Sequence, residues 1–158
     1  MTPQEIFDDL KMKFGDAIIE GKMEVSQPWI QIAGKRTTEI CKYLRDDDRL
    51  NFDYMSCLSG VDYNDGKIGV VYHLTSMRLK HKIVLKAFCT KENPHVQSVT
   101  EVWGTANWHE REAYDLIGVM FDGHPDPRRI LLPYDWEGHP LRKDYKVPEF
   151  YDGMKVPY

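Results

Sequence analysis

The sequence predicts an α+β fold: a mainly antiparallel sheet with two N-terminal helices packed on it, a C-terminal helix, and an extended C-terminal arm rich in proline and aromatic residues. Three observations lead to this prediction. Apolar residues recur at helical spacing near the N-terminus, three apolar runs typical of strands follow, and six of the nine prolines lie in the last 38 residues. We therefore expect an α+β domain over residues 1–120 and an arm over residues 121–158.

The first helix is predicted to begin after Thr2. Thr2 and Glu5 form a capping-box pattern, and Pro3 suits the first turn. Gly15 ends the helical pattern. The next predicted elements are two short strands and a second helix, at residues 17–19, 29–32 and 37–46.

Three strands are expected in the centre, at residues 52–61, 68–74 and 82–88. Asn64-Asp65-Gly66 between the first two is a strong hairpin-turn signal. The centre is therefore predicted to be an antiparallel meander with the two early helices packed on one face.

Two further helix starts are predicted from capping-box patterns. One pattern runs from Ser98 to Glu101, and the other runs from Asn107 to Glu110. The second of these helices is expected to end near Gly118. After it, the prolines predict irregular, extended backbone, while the many aromatic residues argue against a disordered linker. Such an arm needs a surface to lie on.

Composition restricts the function classes. The formal net charge of -4 and pI of about 5.8 give no indication of nucleic-acid binding. No apolar stretch has the length of a membrane-spanning helix, and the N-terminus lacks a signal-peptide pattern, so we expect membrane association only through partners. Cys41, Cys57 and Cys89 form no C-x-x-C pair, which argues against an iron–sulfur cluster in this chain.

Residues 109–145 carry the densest mixture of acids, arginines, histidines and aromatics. A zinc-protease motif fails there because Ala113 stands where the second histidine belongs. A carboxylate hydrolase is disfavoured because Glu110 and Glu112 diverge on a helix. A metal site would draw on residues without a known ligand spacing, namely His124 and His139 with Asp122, Asp126 or Asp135.

The helix over this region is predicted to have mixed faces. Glu110 falls beside the apolar arc, where a buried carboxylate needs a fixed partner. Arg128, Arg129 and Arg142 are suitable partners because a guanidinium pairs bidentately with a carboxylate. Two interpretations remain open here. The charges form an internal cluster that fastens the tail to the domain, or they are shared with another protein chain.

These residues resemble the 30 kDa subunit family, the C subunit of the proton-translocating NADH:quinone oxidoreductase, respiratory complex I. The family signature is matched by Glu110-Arg111-Glu112, Asp115-Leu116-Ile117, His124, Arg128 and Ile130-Leu131, and a second block is matched by Gly138 to Tyr145.

The resemblance implies a noncatalytic structural subunit without a cofactor of its own. It implies a place in a hetero-oligomer beside the D subunit, which carries the quinone site, and neighbouring Fe-S subunits, at the cytoplasmic face of the cell (inner) membrane. The parent complex uses FMN, Fe-S clusters, NADH and quinone to couple electron transfer to proton translocation. The residues expected at the subunit interface are Glu110, Arg111, Glu112, Asp115, His124, Arg128, Arg129, Arg142, Lys143, Asp144 and Tyr145. Alternatives are the equivalent subunit of a membrane-bound hydrogenase or ferredoxin-dependent complex, and a free-standing carboxylate or metal-dependent hydrolase.

Overall fold

The computed structural model describes residues 1–156 and confirms the α+β prediction. The helices are α1 (Pro3–Phe14), α2 (Thr37–Asp46) and α3 (Ala106–Ile117). The strands are β1 (Ile18–Lys22), β2 (Trp29–Ala33), β3 (Tyr54–Asp62), β4 (Lys67–Thr75), β5 (Lys82–Thr90), β6 (His95–Gln97), β7 (Met120–Asp122), β8 (Phe150–Tyr151) and β9 (Met154–Lys155). The short 3₁₀ segments are Gly15–Ala17 and Gly34–Arg36.

The main sheet has five strands in the order β1-β2-β5-β4-β3. Strands β3, β4 and β5 form the predicted antiparallel meander, with the hairpin turn at residues 64–66. Strand β2 departs from an all-antiparallel arrangement because it pairs with β5 in parallel. Helix α2 carries the chain from β2 to the far edge of the sheet, and the meander then returns until β5 lies beside β2. The turn signals in the sequence are local, and they do not predict this pairing of β2 with β5.

The N-terminal capping box is confirmed. Thr2 Oγ1 accepts the Glu5 N–H at 3.3 Å, and Glu5 Oε2 accepts the Thr2 N–H at 2.8 Å. The apolar face of α1 is fully buried at Ile6 and Leu10, and one core joins α1, α2 and the sheet around the buried ring of Tyr72. The two early helices therefore pack on the sheet as predicted.

The helix predicted at Ser98 is wrong. Residues 100–102 form a single turn instead, because the two side chains of the predicted capping box, Ser98 and Glu101, do not bond to each other's backbone N–H groups. Ser98 Oγ does accept the Thr100 N–H at 3.2 Å, but the Glu101 carboxylate pairs with Lys42 at 2.8 Å. Trp103 then fixes the segment by donating its Nε1–H to Phe52 O at 3.0 Å.

Helix α3 exists and ends as predicted, with Gly118 in the left-handed region at φ 81°. Its predicted start is wrong. Thr105, not Asn107, stands at the N-cap, and it makes no side-chain capping bond. Glu110 is fully buried instead of reaching back to the cap, because its Oε1 accepts the Val99 N–H at 2.7 Å. A tertiary partner has replaced the local one.

The chain beyond α3 is mostly irregular. Strand β7 pairs in parallel with β6 and crosses the predicted boundary at residues 120 and 121. Residues 123–149 then contain no helix or strand, and a small β8–β9 hairpin follows. The division into a domain and an arm stays a prediction, and the last two residues of that arm, 157–158, lie outside the described residues.

Candidate subunit interface on helix α3 and the C-terminal arm

Helix α3 lies close against strand β3 because Gly60 has no side chain. A Cβ at Gly60 would stand 3.1 Å from Ile117 Cγ1 and 3.2 Å from Ala113 Cβ. This contact turns the apolar arc of α3 inward. It leaves the Glu112 side chain exposed, so Glu110 and Glu112 point to different environments, as their helical spacing predicts.

Asp115 is the centre of the charged cluster. Its carboxylate is 0% exposed and accepts four hydrogen bonds. Oδ1 accepts from Arg129 Nη1 at 2.7 Å, and Oδ2 accepts three consecutive backbone N–H groups of the arm, from Ile130, Leu131 and Leu132, at 3.0, 2.7 and 2.9 Å. Burial acts to raise the pKa of this carboxyl, but these donors outweigh it and hold the pKa below its ordinary value.

The arm also satisfies the C-terminal end of α3. Leu116 O accepts the Leu141 N–H at 2.9 Å, and Ile117 O accepts Arg142 Nε–H at 2.7 Å. His139 Nδ1 donates to Asp115 O at 2.9 Å. Cationic and polar donors at a helix C-terminus stabilise carbonyl groups that have no partner within the helix. Burial, foremost, lowers the pKa of His139, and Arg142 and Arg129 act in the same direction.

Arg111 and Arg128 fix the first turn of the arm. The Arg111 guanidinium donates to the backbone oxygens of Arg128 and Arg129, at 3.0 and 3.1 Å. Arg128 itself pairs bidentately with Asp126, at 2.6 and 2.8 Å, although its side chain is 77% exposed. The guanidinium groups thus bind backbone oxygens and aspartates. The expected pairing of Arg128, Arg129 or Arg142 with Glu110 is wrong.

Glu110 is the one buried carboxylate that remains without a cation among the described residues. Its Oε2 has no hydrogen-bond partner within that part of the chain, and His124 Nε2 lies 4.0 Å away. His124 Nδ1 accepts the Asp126 N–H at 2.9 Å, so its proton sits on Nε2 and faces Asn107 O at 3.2 Å. The imidazole therefore gives Glu110 no hydrogen bond. Burial raises the pKa of Glu110 to about 7, and the bond from Val99 opposes this rise.

This burial predicts that the chain loses stability as the pH rises. A folded-state pKa of about 7, against an ordinary value of 4.5, gives a stabilisation that is complete below pH 4.5. It is lost as the pH rises through 7, for a total of about 3 kcal/mol. Glu110→Gln should remove this dependence and unfold at a higher denaturant concentration than the parent chain at pH 8. Denaturant unfolding from pH 4 to pH 8 measures both slopes. Parallel curves for the two proteins would contradict a buried, unpaired Glu110.

The second block of the family signature is fastened to strand β3 through Asp62. Asp62 Oδ2 accepts the Lys143 N–H and Lys91 Nζ, each at 2.9 Å, and Lys91 also reaches Asp144 at 3.2 Å. Burial acts to raise the pKa of Asp62. The hydrogen bonds from Lys91 and from backbone N–H groups outweigh burial and lower the pKa to about 2. Tyr145 OH accepts Trp136 Nε1–H at 3.1 Å.

The structure therefore brings all eleven predicted interface residues onto α3 or the arm, but with different exposures. Glu110 and Asp115 are buried, whereas Glu112, Arg128, Lys143 and Asp144 are exposed. The direct interface assignment stays a prediction. Sequence reasoning missed Asp62 and Lys91, since a lone acid at a strand end and a lone lysine carry no local signal. His124 and His139, which their sequence spacing disfavours as metal ligands, each bind backbone groups, and within residues 1–156 no group of three or more acids, cysteines and histidines is placed to hold a metal ion.

The fold and the cluster together define an α+β protein in which the irregular segment after α3 is bound back onto that helix. The family model for the respiratory-chain NADH dehydrogenase 30 Kd subunit matches residues 30–151. The chain belongs to this family.

Three curated relatives, each described as the C subunit of an NADH-quinone oxidoreductase, show the extent of the similarity. The relative from Chloroherpeton thalassium is 54% identical over 151 residues, which are 94% of this chain and 63% of the relative. The relative from Chlorobium phaeobacteroides is 48% identical over 155 residues, 96% of this chain and 93% of the relative. The one from Salinispora tropica is 47% identical over 91% of this chain and 61% of the relative. The chain thus spans under two thirds of two of them.

Two solved structures share the fold. A trypsin-resistant fragment (1-134) of Nqo5 superposes with a TM-score of 0.63 at 27% identity, covering 80% of this chain and 99% of the fragment. A chain of the membrane-bound sulfane sulfur reductase, an archaeal respiratory membrane complex, superposes with a TM-score of 0.76 at 22% identity, covering 93% of this chain and 87% of that one. No helix in the described part of this chain is long and apolar enough to cross a membrane.

Proposed function

We propose that this chain is a noncatalytic structural subunit in the peripheral arm of an NADH:quinone oxidoreductase. It supports electron transfer from NADH through Fe-S clusters to quinone, coupled to proton translocation, by holding neighbouring subunits in place. Family membership and the shared description of the relatives support the assignment to an NADH:quinone oxidoreductase. The arrangement of the charged cluster supports the structural role.

One observation carries the structural role. The buried Asp115 carboxylate accepts four hydrogen bonds, from Arg129 and from three backbone N–H groups of the arm. A group held in this way is a poor acid, base or ligand, because its donors would have to leave first. It is well suited to keep α3 and the arm in one fixed shape. Such a shape lets exposed neighbours such as Glu112 and Lys143 meet a partner without a further ordering cost.

The proposed partners are the D subunit, which carries the quinone site, and the adjacent Fe-S subunits. In this proposal FMN and the Fe-S clusters are held by other subunits of the parent complex, and the chain reaches the cytoplasmic face of the membrane through its partners. The buried residues of the predicted interface act indirectly, by fixing the backbone that carries the exposed ones.

Affinity purification of a tagged chain from detergent-solubilised membranes tests this proposal. We expect the chain to migrate in a complex much larger than the chain itself that oxidises NADH with quinone, and the separately produced chain to be colourless and free of stoichiometric metal. Migration as an 18.5 kDa monomer from the same membranes and cytosol would contradict the subunit role. A different electron donor for the purified complex would contradict the NADH assignment alone.

A further inference from the structure

Helix α3 and the start of the arm present an exposed apolar surface that no described residue covers. Trp108 is 64% exposed, Leu131 61% and Leu141 58%. Apolar groups so exposed, close together and on fixed backbone are typical of a protein–protein contact. We call this surface the α3 strip, and its members are Trp108, His109, Glu112, Leu131 and Leu141.

Two shallow concavities make the α3 strip continuous. One has a volume of about 190 Å³ and lies between Trp108 and Leu131. The other has a volume of about 180 Å³ and lies beside Leu141. His109 and Glu112 line both concavities, so they stand on the ridge between them. Each concavity admits one apolar side chain of an opposing surface.

Glu112 gives the α3 strip its charge. Unlike the other acids of the cluster, it forms no ion pair and no hydrogen bond with any residue of the described range 1–156. Neither nearby arginine pairs with it: Arg128 pairs with Asp126, whereas Arg111 donates to backbone oxygens of the arm and lies 5.7 Å from the centroid of the Trp108 ring. A free carboxylate at the centre of an apolar contact surface favours a cation on the opposing side, because an unpaired charge is costly to desolvate.

We propose that the α3 strip binds a segment of a neighbouring protein chain in which one lysine or arginine pairs with Glu112 and two flanking apolar side chains fill the concavities. This inference rests on the proposed function and specifies the partner's chemistry. A lipid surface is the rival occupant. It is disfavoured because anionic headgroups repel an exposed carboxylate that forms no ion pair within the described residues.

Photo-crosslinking within the assembled complex tests the partner directly. A benzophenone amino acid is placed at Leu131, and at Met12 on α1 as a control that is 83% exposed on another element. We expect the Leu131 probe to give one protein adduct, at a partner segment with a lysine or arginine between apolar residues. The Met12 probe should not give that adduct. An adduct with lipid, or the same partner for both probes, would overturn the proposal.

Charge reversal tests the role of Glu112. Glu112→Lys should lower the fraction of the chain found in the membrane complex by about tenfold. Glu24→Lys is the matched control, since Glu24 is also exposed but lies between β1 and β2. The crosslinked partner segment should contain the lysine or arginine that pairs with Glu112. Changing that residue to glutamate should restore assembly of Glu112→Lys. Normal assembly of Glu112→Lys overturns this interface while leaving the proposed function standing. Absence of the unaltered chain from the complex overturns the proposed function itself.

Discussion

Asp115→Ala should release the C-terminal arm from helix α3. The substitution leaves three backbone N–H groups and the Arg129 guanidinium without their acceptor, and removing one member of such a buried set costs about 3 kcal/mol or more. We expect the amides of residues 130–132 to exchange with solvent at least about 100-fold faster, because each 1.4 kcal/mol corresponds to tenfold. Hydrogen exchange followed by mass spectrometry measures this. Trypsin should also cut at Arg128 or Arg129 much sooner.

Two further variants define the specificity of this effect. Asp115→Asn keeps the shape but turns an amide N–H₂ towards donors, so its effect should lie between those of the parent chain and Asp115→Ala. Asp48→Ala removes an aspartate whose side chain is 97% exposed, and its amide exchange should match the parent chain. If exchange at residues 130–132 stays slow in Asp115→Ala, the arm is held by other contacts and Asp115 is not its anchor.

Gly118→Ala should destabilise the joint between α3 and the arm by about 3 kcal/mol. The backbone of Gly118 has φ 81°, which costs an alanine about 1 kcal/mol. The new Cβ would also stand 2.5 Å from His139 Cδ2 and 2.6 Å from Arg142 Nη2. Both side chains are held by bonds to the end of α3, so moving them breaks those bonds. Denaturant unfolding measures the total loss.

Gly123→Ala separates the two causes. Gly123 has φ 86°, but a Cβ there meets nothing within 4 Å. This variant should therefore lose only the backbone component, about 1 kcal/mol. The difference between the two variants reports the contact with the arm. Equal losses would show that His139 and Arg142 move aside freely, and that the arm is not tightly bound at this point.

The local elements of this fold are well predicted because their signals are local. The capping box of α1 and the 64–66 hairpin turn involve groups a few residues apart, and both form as expected. Gly118 likewise ends α3 by the conformational freedom of a single residue. Failures occur where a distant group competes. Glu101 pairs with Lys42 and Glu110 binds Val99, so neither completes the capping box that its sequence neighbourhood predicts.

The charged cluster shows the same difference between what local sequence predicts and what distant contacts decide. Its family signature is readable in the sequence and is confirmed by the family match. The pairing within the cluster is not readable, since Arg128, Arg129 and Arg142 look equivalent from spacing alone. Only the packed structure assigns Arg129 to Asp115 and Arg142 to Ile117 O.

The order of neighbouring residues is enough to establish the α+β class, the meander, the end of α3 and the family. Packing, in contrast, establishes which acids are buried, which charges are already neutralised, and that Glu112 stands free of partners within the described residues, on an apolar surface. Those properties depend on which groups meet across more than ten residues of chain. Desolvation and hydrogen bonding at these distant contacts set the energies, and a linear pattern does not contain them.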